Sequence, residues 1–199
     1  MEPIFSDRIH DVPRSFIREI LKVSLDPEII SFAGGLPNRK FFPVEQLQKA
    51  TAQVFSEQGA QSLQYSNSEG LVELREYIAG RYRKDKGITV SPENILITNG
   101  SQQALDLIAK VSVNDGDPVI IEEPGYLGAI QALSFYRPQY LPVAVGEEGM
   151  DCSQLEQRLA GTVPKLVYTV PNFQNPSGIT YSKQNRQEIA SLIEGKHTL

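Results

Sequence analysis

The sequence has few of the residues from which disulfides and metal centres are built. It has one cysteine, Cys152, which excludes an internal disulfide and is consistent with a reducing compartment. The two histidines, His10 and His197, lie at opposite ends of the chain and form no plausible base or metal pair. The sequence therefore predicts no metal site.

Long apolar runs and basic stripes are also lacking. No run approaches the length of a membrane-spanning helix, and the first residues carry acids and a proline where a signal peptide needs an apolar stretch. The net charge is -5 at pH 7, and the short basic run at 81–86 is typical of a solvated helix end. We therefore expect a cytoplasmic protein without membrane or nucleic-acid partners.

What the sequence does contain is an alternation of strand and helix patterns, in a chain of 199 residues that is long enough to bury a core. Two helices are predicted first, from Val44 to about Gln58 and from Leu71 to about Lys86. Four strands follow, which are NILIT, PVIIEE, PQYLPVAV and KLVYTV. Helices come after each of them, in SQQALDLIAKVSV, YLGAIQALSFY, DCSQLEQRLA and SKQNRQEIASLIEG. Strands that are apolar throughout predict an α/β fold, in which a parallel sheet has helices on both faces.

Three polar loops follow predicted strands of this sheet. They are TNGSQQ at 98–103, EEPGY at 122–126 and PNFQNPSG at 171–178. If the strands are parallel, all three loops lie at one edge, beyond the carboxyl ends of the strands, where such sheets bind ligands.

Each loop carries a group that suits a flat, phosphorylated ligand. The first-turn amides and hydroxyl of Ser101 suit a phosphate, although the same residues also make an ordinary turn and helix cap. Tyr126 suits stacking on a planar ring, or packing inward at the start of a helix. Asn172 and Asn175 suit donation to a ring oxygen, or bonding to their own backbone. Together the loops predict a site for a phenolic, phosphorylated heterocycle.

The order and the amino-acid sequences of five segments resemble those of the fold-type-I pyridoxal-phosphate aminotransferases. The resemblance is to the branch with 2-aminoadipate and kynurenine aminotransferases and the aminotransferase-like domains of MocR regulators. It runs from about Arg14 to the end of the chain. The segments are SFAGGLPNRKFFP, LQYSNSEGLVELREYIAGRY, ILITNGSQQALDLIAK, EEPGYLGAIQAL and VPNFQNPSGIT.

The resemblance implies a fold, a cofactor and a division of the chain. The fold is the three-layer, mainly parallel α/β large domain of these transferases, incomplete at its C-terminus, and the cofactor is pyridoxal 5'-phosphate. Residues 1–43 are expected to be an N-terminal arm that contributes to the active site and the small domain. Residues 44–199 are expected to be the N-terminal part of the large domain.

The resemblance also implies which residues bind the cofactor. Ser101 and Gln102 match the phosphate-binding positions, and Tyr126 matches the ring that stacks on the pyridine. Asn175 matches the residue that bonds the phenolic oxygen. Tyr65 matches a tyrosine that reaches the phosphate of the neighbouring subunit, which implies a homodimer with shared active sites.

Substrate residues follow from the same resemblance. Gly35 and Arg18 match positions near the substrate, and Asn175 belongs to this set as well. The implied reaction is amino-group transfer between an amino acid and a 2-oxo acid.

The family's Schiff-base lysine and the carboxylate that pairs with the pyridinium nitrogen are not found in the sequence. The resemblance places both beyond Leu199, so we expect the chain to be the N-terminal part of a longer enzyme and to be inactive alone. Two alternatives stay open. One is the ligand-sensing domain of a MocR-type transcriptional regulator, and the other is a truncated, non-catalytic binding or assembly partner.

Overall fold

The structure, a computed structural model, describes residues 4–11, 29–30 and 37–199. The chain divides into two compact units, one of Met1–Pro13 with Thr98–Leu199 and the other of Arg14–Ile97. No helix in the described ranges has the length and apolar character needed to cross a membrane.

The unit of Arg14–Ile97 contains the two helices predicted before the alternating region. They are α2 (Val44–Gln58) and α3 (Val72–Lys86), numbered after a short helix α1 (Arg8–Asp11) that belongs to the other unit. Short 3-10 turns occur at Arg39–Phe41, Gly59–Leu63 and Pro92–Asn94. Helix α3 ends where Gly87 takes a left-handed conformation and its N–H returns to the last turn of the helix. The sequence prediction of both helices is confirmed.

In the described residues, the larger unit is built around a sheet of four strands, which are β1 (Pro118–Glu123), β2 (Gln139–Gly146), β3 (Gly149–Met150) and β4 (Leu166–Tyr168). Their order in the sheet is β3-β2-β1-β4. Strand β1 pairs in parallel with β2 and with β4, and the short β3 pairs antiparallel with β2. The predicted, mainly parallel sheet is confirmed.

Helices cover both faces of this sheet because successive residues of the central strand point in opposite directions. Val119 and Ile121 of β1 pack in one core with residues of α4 and α5, whereas Ile120 packs in a second core with residues of α6 and the loop before α7. These helices are α4 (Ser101–Ser112), α5 (Leu127–Ser134), α6 (Cys152–Gly161) and α7 (Lys183–Ile193). The arrangement confirms the predicted three-layer α/β fold.

One predicted strand is wrong. Residues 94–98, NILIT, form no strand, because within the described residues no strand lies beside them. Asn94 ends a 3-10 turn, and Ile95 after it is extended. The amide of Ile97 instead donates to the carbonyl oxygen of Glu69, across 3.0 Å, in the turn before α3. An apolar run predicts extended backbone, whereas a strand also needs a partner. The two-residue strand β3 is too short to give a sequence pattern and was not predicted.

Candidate functional site

The loops that follow β1 and β4 meet at one edge of the sheet, as their parallel strands require. They are joined directly, since the side-chain amide of Gln174 donates to the carbonyl oxygen of Pro124 across 2.8 Å. The peptide bonds Glu123–Pro124 and Asn175–Pro176 are both cis. The second and third polar loops of the sequence therefore form one continuous surface.

A buried carboxylate lies beneath these two loops. Glu122 is 1% exposed and ends the apolar run of β1. Its Oε1 accepts hydrogen bonds from the Val170 amide and the Tyr181 hydroxyl, each at 2.6 Å, and its Oε2 accepts from the Gln174 amide at 2.8 Å. These three donors satisfy both oxygens of the buried Glu122 side chain. Burial, and next the hydrogen bond to Glu122, raise the pKa of Tyr181 far above its usual range.

The second buried polar group is Gln174, which is 1% exposed. Its nitrogen donates to Glu122 and Pro124, and its oxygen accepts from both the amide and the hydroxyl of Ser177, at 2.8 and 2.6 Å. These four bonds use the full capacity of a carboxamide. Gln174 thus fixes the third loop to the second and also folds the third loop on itself.

The outer side of the third loop is held by Arg186 of α7. Its guanidinium donates to the carbonyl oxygens of Tyr181 and Pro171 and to the Asn172 side chain, at 3.0, 2.6 and 2.8 Å. The side-chain oxygen of Asn172 therefore already has a hydrogen-bond partner within the protein. The Asn175 side chain is exposed and has no hydrogen-bond partner among the described residues, so of the two loop asparagines it is the one with a free amide.

Tyr126 stands immediately before α5, half-buried. It packs, together with Tyr168, against a small core of Leu105, Ala129 and Ala132. The ring lies over the first turn of its own helix. Its closeness is shown at Gly128, where an added Cβ would lie 2.5 Å from Cζ of Tyr126. The predicted inward packing of Tyr126 is therefore observed, and because the residue is only half-buried its stacking on a planar ligand stays a prediction.

The first loop ends in the exposed start of α4. Gly100 precedes the helix with φ 85° and supplies no side-chain cap, so the first-turn amides, including those of Ser101 and Gln102, have no partner within the helix. The Gln103 side chain is used locally, accepting from the Asn99 amide at 2.6 Å. Free amides at a helix start attract anions. One turn further on, Leu105 contacts the core that holds Tyr126, which connects the first loop to the second.

Three further predicted residues do not belong to these loops. Tyr65 belongs to the Arg14–Ile97 unit, where its side chain is 100% exposed. Arg18 and Gly35 lie outside the described residues. Among the described residues, no group of three histidine, cysteine or acidic side chains is arranged to hold a metal ion.

Sequence reasoning assigned no role to Glu122, Gln174 or Arg186. Glu122 directly follows three apolar strand residues, a position where a buried acid would need donors, but the sequence does not distinguish it from the exposed Glu123. Gln174 was visible as one of several amides in its loop, but nothing in the sequence distinguishes a buried amide from an exposed one.

Comparisons with known proteins give a consistent result. The family model "Aminotransferase class I and II" matches residues 28–199. The 2-aminoadipate transaminase of Thermus thermophilus is 47% identical over 182 residues, covering 92% of this chain and 44% of the relative. The HTH-type transcriptional regulator YdcR of Escherichia coli is 36% identical over 192 residues, covering 96% of this chain and 41% of the relative.

A solved structure has the same fold. The kynurenine aminotransferase of Pyrococcus horikoshii, in complex with PMP, superimposes with a TM-score of 0.90 at 39% identity, over 98% of this chain and 50% of that one. The chain thus spans about half the length of the proteins it matches.

Proposed function

The chain belongs to the class I and II aminotransferase family, and on that premise we propose that the full-length protein transfers an amino group between an amino acid and a 2-oxo acid. The cofactor is pyridoxal 5'-phosphate. The relatives named for 2-aminoadipate and kynurenine support amino acids as the substrate class, and the PMP complex supports the cofactor.

The observation that carries the proposal is the joining of the two loops that bear Tyr126 and Asn175 through the buried side chain of Gln174. A half-buried ring and an unpaired amide on one fixed surface suit a flat ligand that carries a phenolic oxygen. The free first-turn amides of α4 suit its phosphate. The residues present therefore fit the cofactor.

Each residue has a distinct task in this proposal. The backbone amides of Ser101 and Gln102 bind the phosphate, Tyr126 stacks on the ring, and Asn175 donates to the ring oxygen. Bound pyridoxal 5'-phosphate supplies the electron sink that makes the substrate's α-proton removable. The chain's contribution is to orient the ring and to keep it from moving during the reaction.

We place the lysine that moves the substrate proton, and the carboxylate beside the ring nitrogen, in the part of the full-length protein beyond Leu199. The half-length match to the relatives supports this. The test is transfer of a nitrogen-15 label from an amino acid to a 2-oxo acid, measured for full-length protein and for the 199-residue chain. We expect the full-length protein to transfer the label and the 199-residue chain not to transfer it. Failure of the full-length protein with every amino acid tried, or turnover by the 199-residue chain, would contradict the proposal.

We further propose a cytoplasmic homodimer. The full exposure of Tyr65 supports the dimer, since this side chain contributes nothing to the packing of its own unit. Light scattering on the full-length protein is expected to give twice the mass of one chain. A monomer that nevertheless binds the cofactor would contradict the role given to Tyr65.

The match to YdcR favours a second candidate, the ligand-sensing domain of a transcriptional regulator. In that case the full-length protein would contain a DNA-binding segment and would bind an operator fragment in a cofactor-dependent way. Label transfer without any DNA binding favours the enzyme, and the reverse result favours the regulator.

A further inference from the structure

We propose that Gln174 is a positioning residue, which links the loop of Tyr126 to the loop of Asn175 so that the two groups hold one orientation towards the cofactor ring. The inference rests on the proposed function. It adds a residue that does not touch the ring itself but determines where two ring-contacting groups lie.

The hydrogen bonds of the Gln174 side chain reach residues near both ring-contacting groups. One N–H reaches the carbonyl oxygen of Pro124, two positions before Tyr126, and the other reaches the buried carboxylate of Glu122. Asn175 is the next residue along the chain. A movement of either loop therefore breaks a buried hydrogen bond of the other, and buried unpaired polar groups are strongly disfavoured.

The backbone beside Gln174 gives independent evidence that the loop conformation is imposed. Phe173 has φ 48°, a left-handed conformation that is unfavourable for a residue with a Cβ, and its ring is 81% exposed, so no packing of the ring compensates. Such a conformation persists only where surrounding bonds determine it. The bonds here are those of the Phe173 amide to Thr180 Oγ1 and the Gln174 amide to the Ile179 carbonyl oxygen, at 3.0 and 2.7 Å, together with those of the Gln174 side chain.

A matched control exists in Tyr181. Its hydroxyl donates to the same buried carboxylate of Glu122, and that hydroxyl bonds to no atom of residues 123–126 or 171–178. The backbone amide of Tyr181 does donate to the carbonyl oxygen of Pro171, but a change to phenylalanine leaves that bond in place. Removing that hydroxyl costs the carboxylate one donor and leaves the link between the loops intact. If the hydrogen bonds to Glu122 only stabilised the fold, loss of the Tyr181 hydroxyl and loss of the Gln174 amide would affect cofactor binding equally.

The test uses the full-length protein and pyridoxal 5'-phosphate itself. Gln174→Leu removes every side-chain bond of Gln174 and is expected to weaken cofactor binding about tenfold or more. It should also change the visible circular dichroism of the bound cofactor, which reports its orientation. Tyr181→Phe is expected to bind within about twofold of wild type, with an unchanged spectrum. Equal effects of the two variants, or wild-type affinity and spectrum in Gln174→Leu, would overturn the inference.

A second variant keeps the test decisive if Gln174→Leu does not fold. Gln174→Met keeps the approximate size of the side chain but loses both donors, and is expected to show the same weakened binding and altered spectrum. If both variants fail to fold while Tyr181→Phe folds, Gln174 is a general determinant of folding and the inference is wrong. If wild-type protein binds no pyridoxal 5'-phosphate, the proposed function fails and this role fails with it. Wild-type binding with unaffected Gln174 variants rejects only the role given to Gln174.

Discussion

The side-chain amide of Gln174 donates a hydrogen bond to the carboxylate of Glu122 across 2.8 Å, although the two residues are 52 positions apart in the sequence. Both are almost completely buried. This one contact ties the end of the central strand β1 to the loop after β4. Because Tyr126 lies four residues after Glu122 and Asn175 directly follows Gln174, a buried polar pair determines the positions of a half-buried ring and an exposed amide.

Replacing the buried carboxylate tests how much the pair stabilises the fold. Glu122→Gln would place an N–H group against a donor in either orientation, facing the Gln174 nitrogen in one and the Val170 amide in the other. A buried donor is then left without an acceptor, and the free energy of unfolding is expected to fall by about 1–3 kcal/mol. The measurement is urea unfolding of the full-length protein. Glu123→Gln is the control, because Glu123 is exposed, and is expected to stay within about 0.5 kcal/mol of wild type. Equal effects of the two substitutions would show that the Glu122 network does not stabilise the fold.

The stability of the protein should fall at alkaline pH, in part because of Tyr181. Burial, and then its hydrogen bond to Glu122, raise the pKa of Tyr181 above its ordinary value of 10.0. Above that pH the folded state holds the phenolic proton more tightly than the unfolded state, so the contribution is complete below pH 10 and is lost as the pH rises.

Urea unfolding at about pH 8 and about pH 11 checks this, since the ordinary tyrosine pKa lies between them. Tyr181→Phe should lose less stability between the two than wild type does. Tyr77→Phe, at an exposed position of α3, should keep the wild-type loss. A loss in Tyr181→Phe as large as that of wild type would contradict the prediction.

A small substitution can displace the Tyr126 ring. Gly128→Ala puts a methyl group 2.5 Å from Cζ of Tyr126, so the ring must turn away. Loss of ring stacking is worth about 0.5–1.5 kcal/mol and should weaken binding of pyridoxal 5'-phosphate by about two- to tenfold.

Fluorescence titration of the full-length protein measures this binding. Gly80→Ala in α3 is the control, because a methyl group there meets nothing within 4 Å. It should leave binding unchanged and stabilise the helix by about 0.5–1 kcal/mol. Wild-type affinity in Gly128→Ala would argue that Tyr126 does not contact the cofactor.

The two loop asparagines should behave differently. Asn175→Ala removes the free amide and is expected to weaken cofactor binding or to shift the absorbance of the bound cofactor. Asn172→Ala removes only a partner of Arg186, so it should lower stability slightly and leave the spectrum unchanged. Absorbance titration of the full-length variants distinguishes the two. An Asn175→Ala variant with wild-type spectrum and activity would remove Asn175 from the proposed site.

The helices and the parallel core of the sheet could be predicted from the sequence because their signals are local. Helix α2 begins and ends at the predicted residues, and β1 coincides with PVIIEE, since period and apolar runs are properties of the segment itself. The strand predicted at NILIT failed because strand formation depends on a neighbour, which no local pattern encodes.

The exposed groups of the candidate site were also visible in the sequence, because Ser101, Tyr126 and Asn175 all stand in loops that follow strand patterns. The network beneath them was not. Glu122 and Gln174 are polar residues whose importance comes from burial and from each other, and their pairing depends on the register of β1 with β4. Residues that position a site are harder to predict than those that contact a ligand, because only the folded chain brings them together.

The most direct measurement is a crystal structure of the full-length protein with pyridoxal 5'-phosphate bound. We predict that the phosphate lies within hydrogen-bond distance of the amides of Ser101 and Gln102, the ring against Tyr126, and the ring oxygen at the Asn175 amide. A cofactor bound elsewhere, or touching only one of the three loops, would contradict the account.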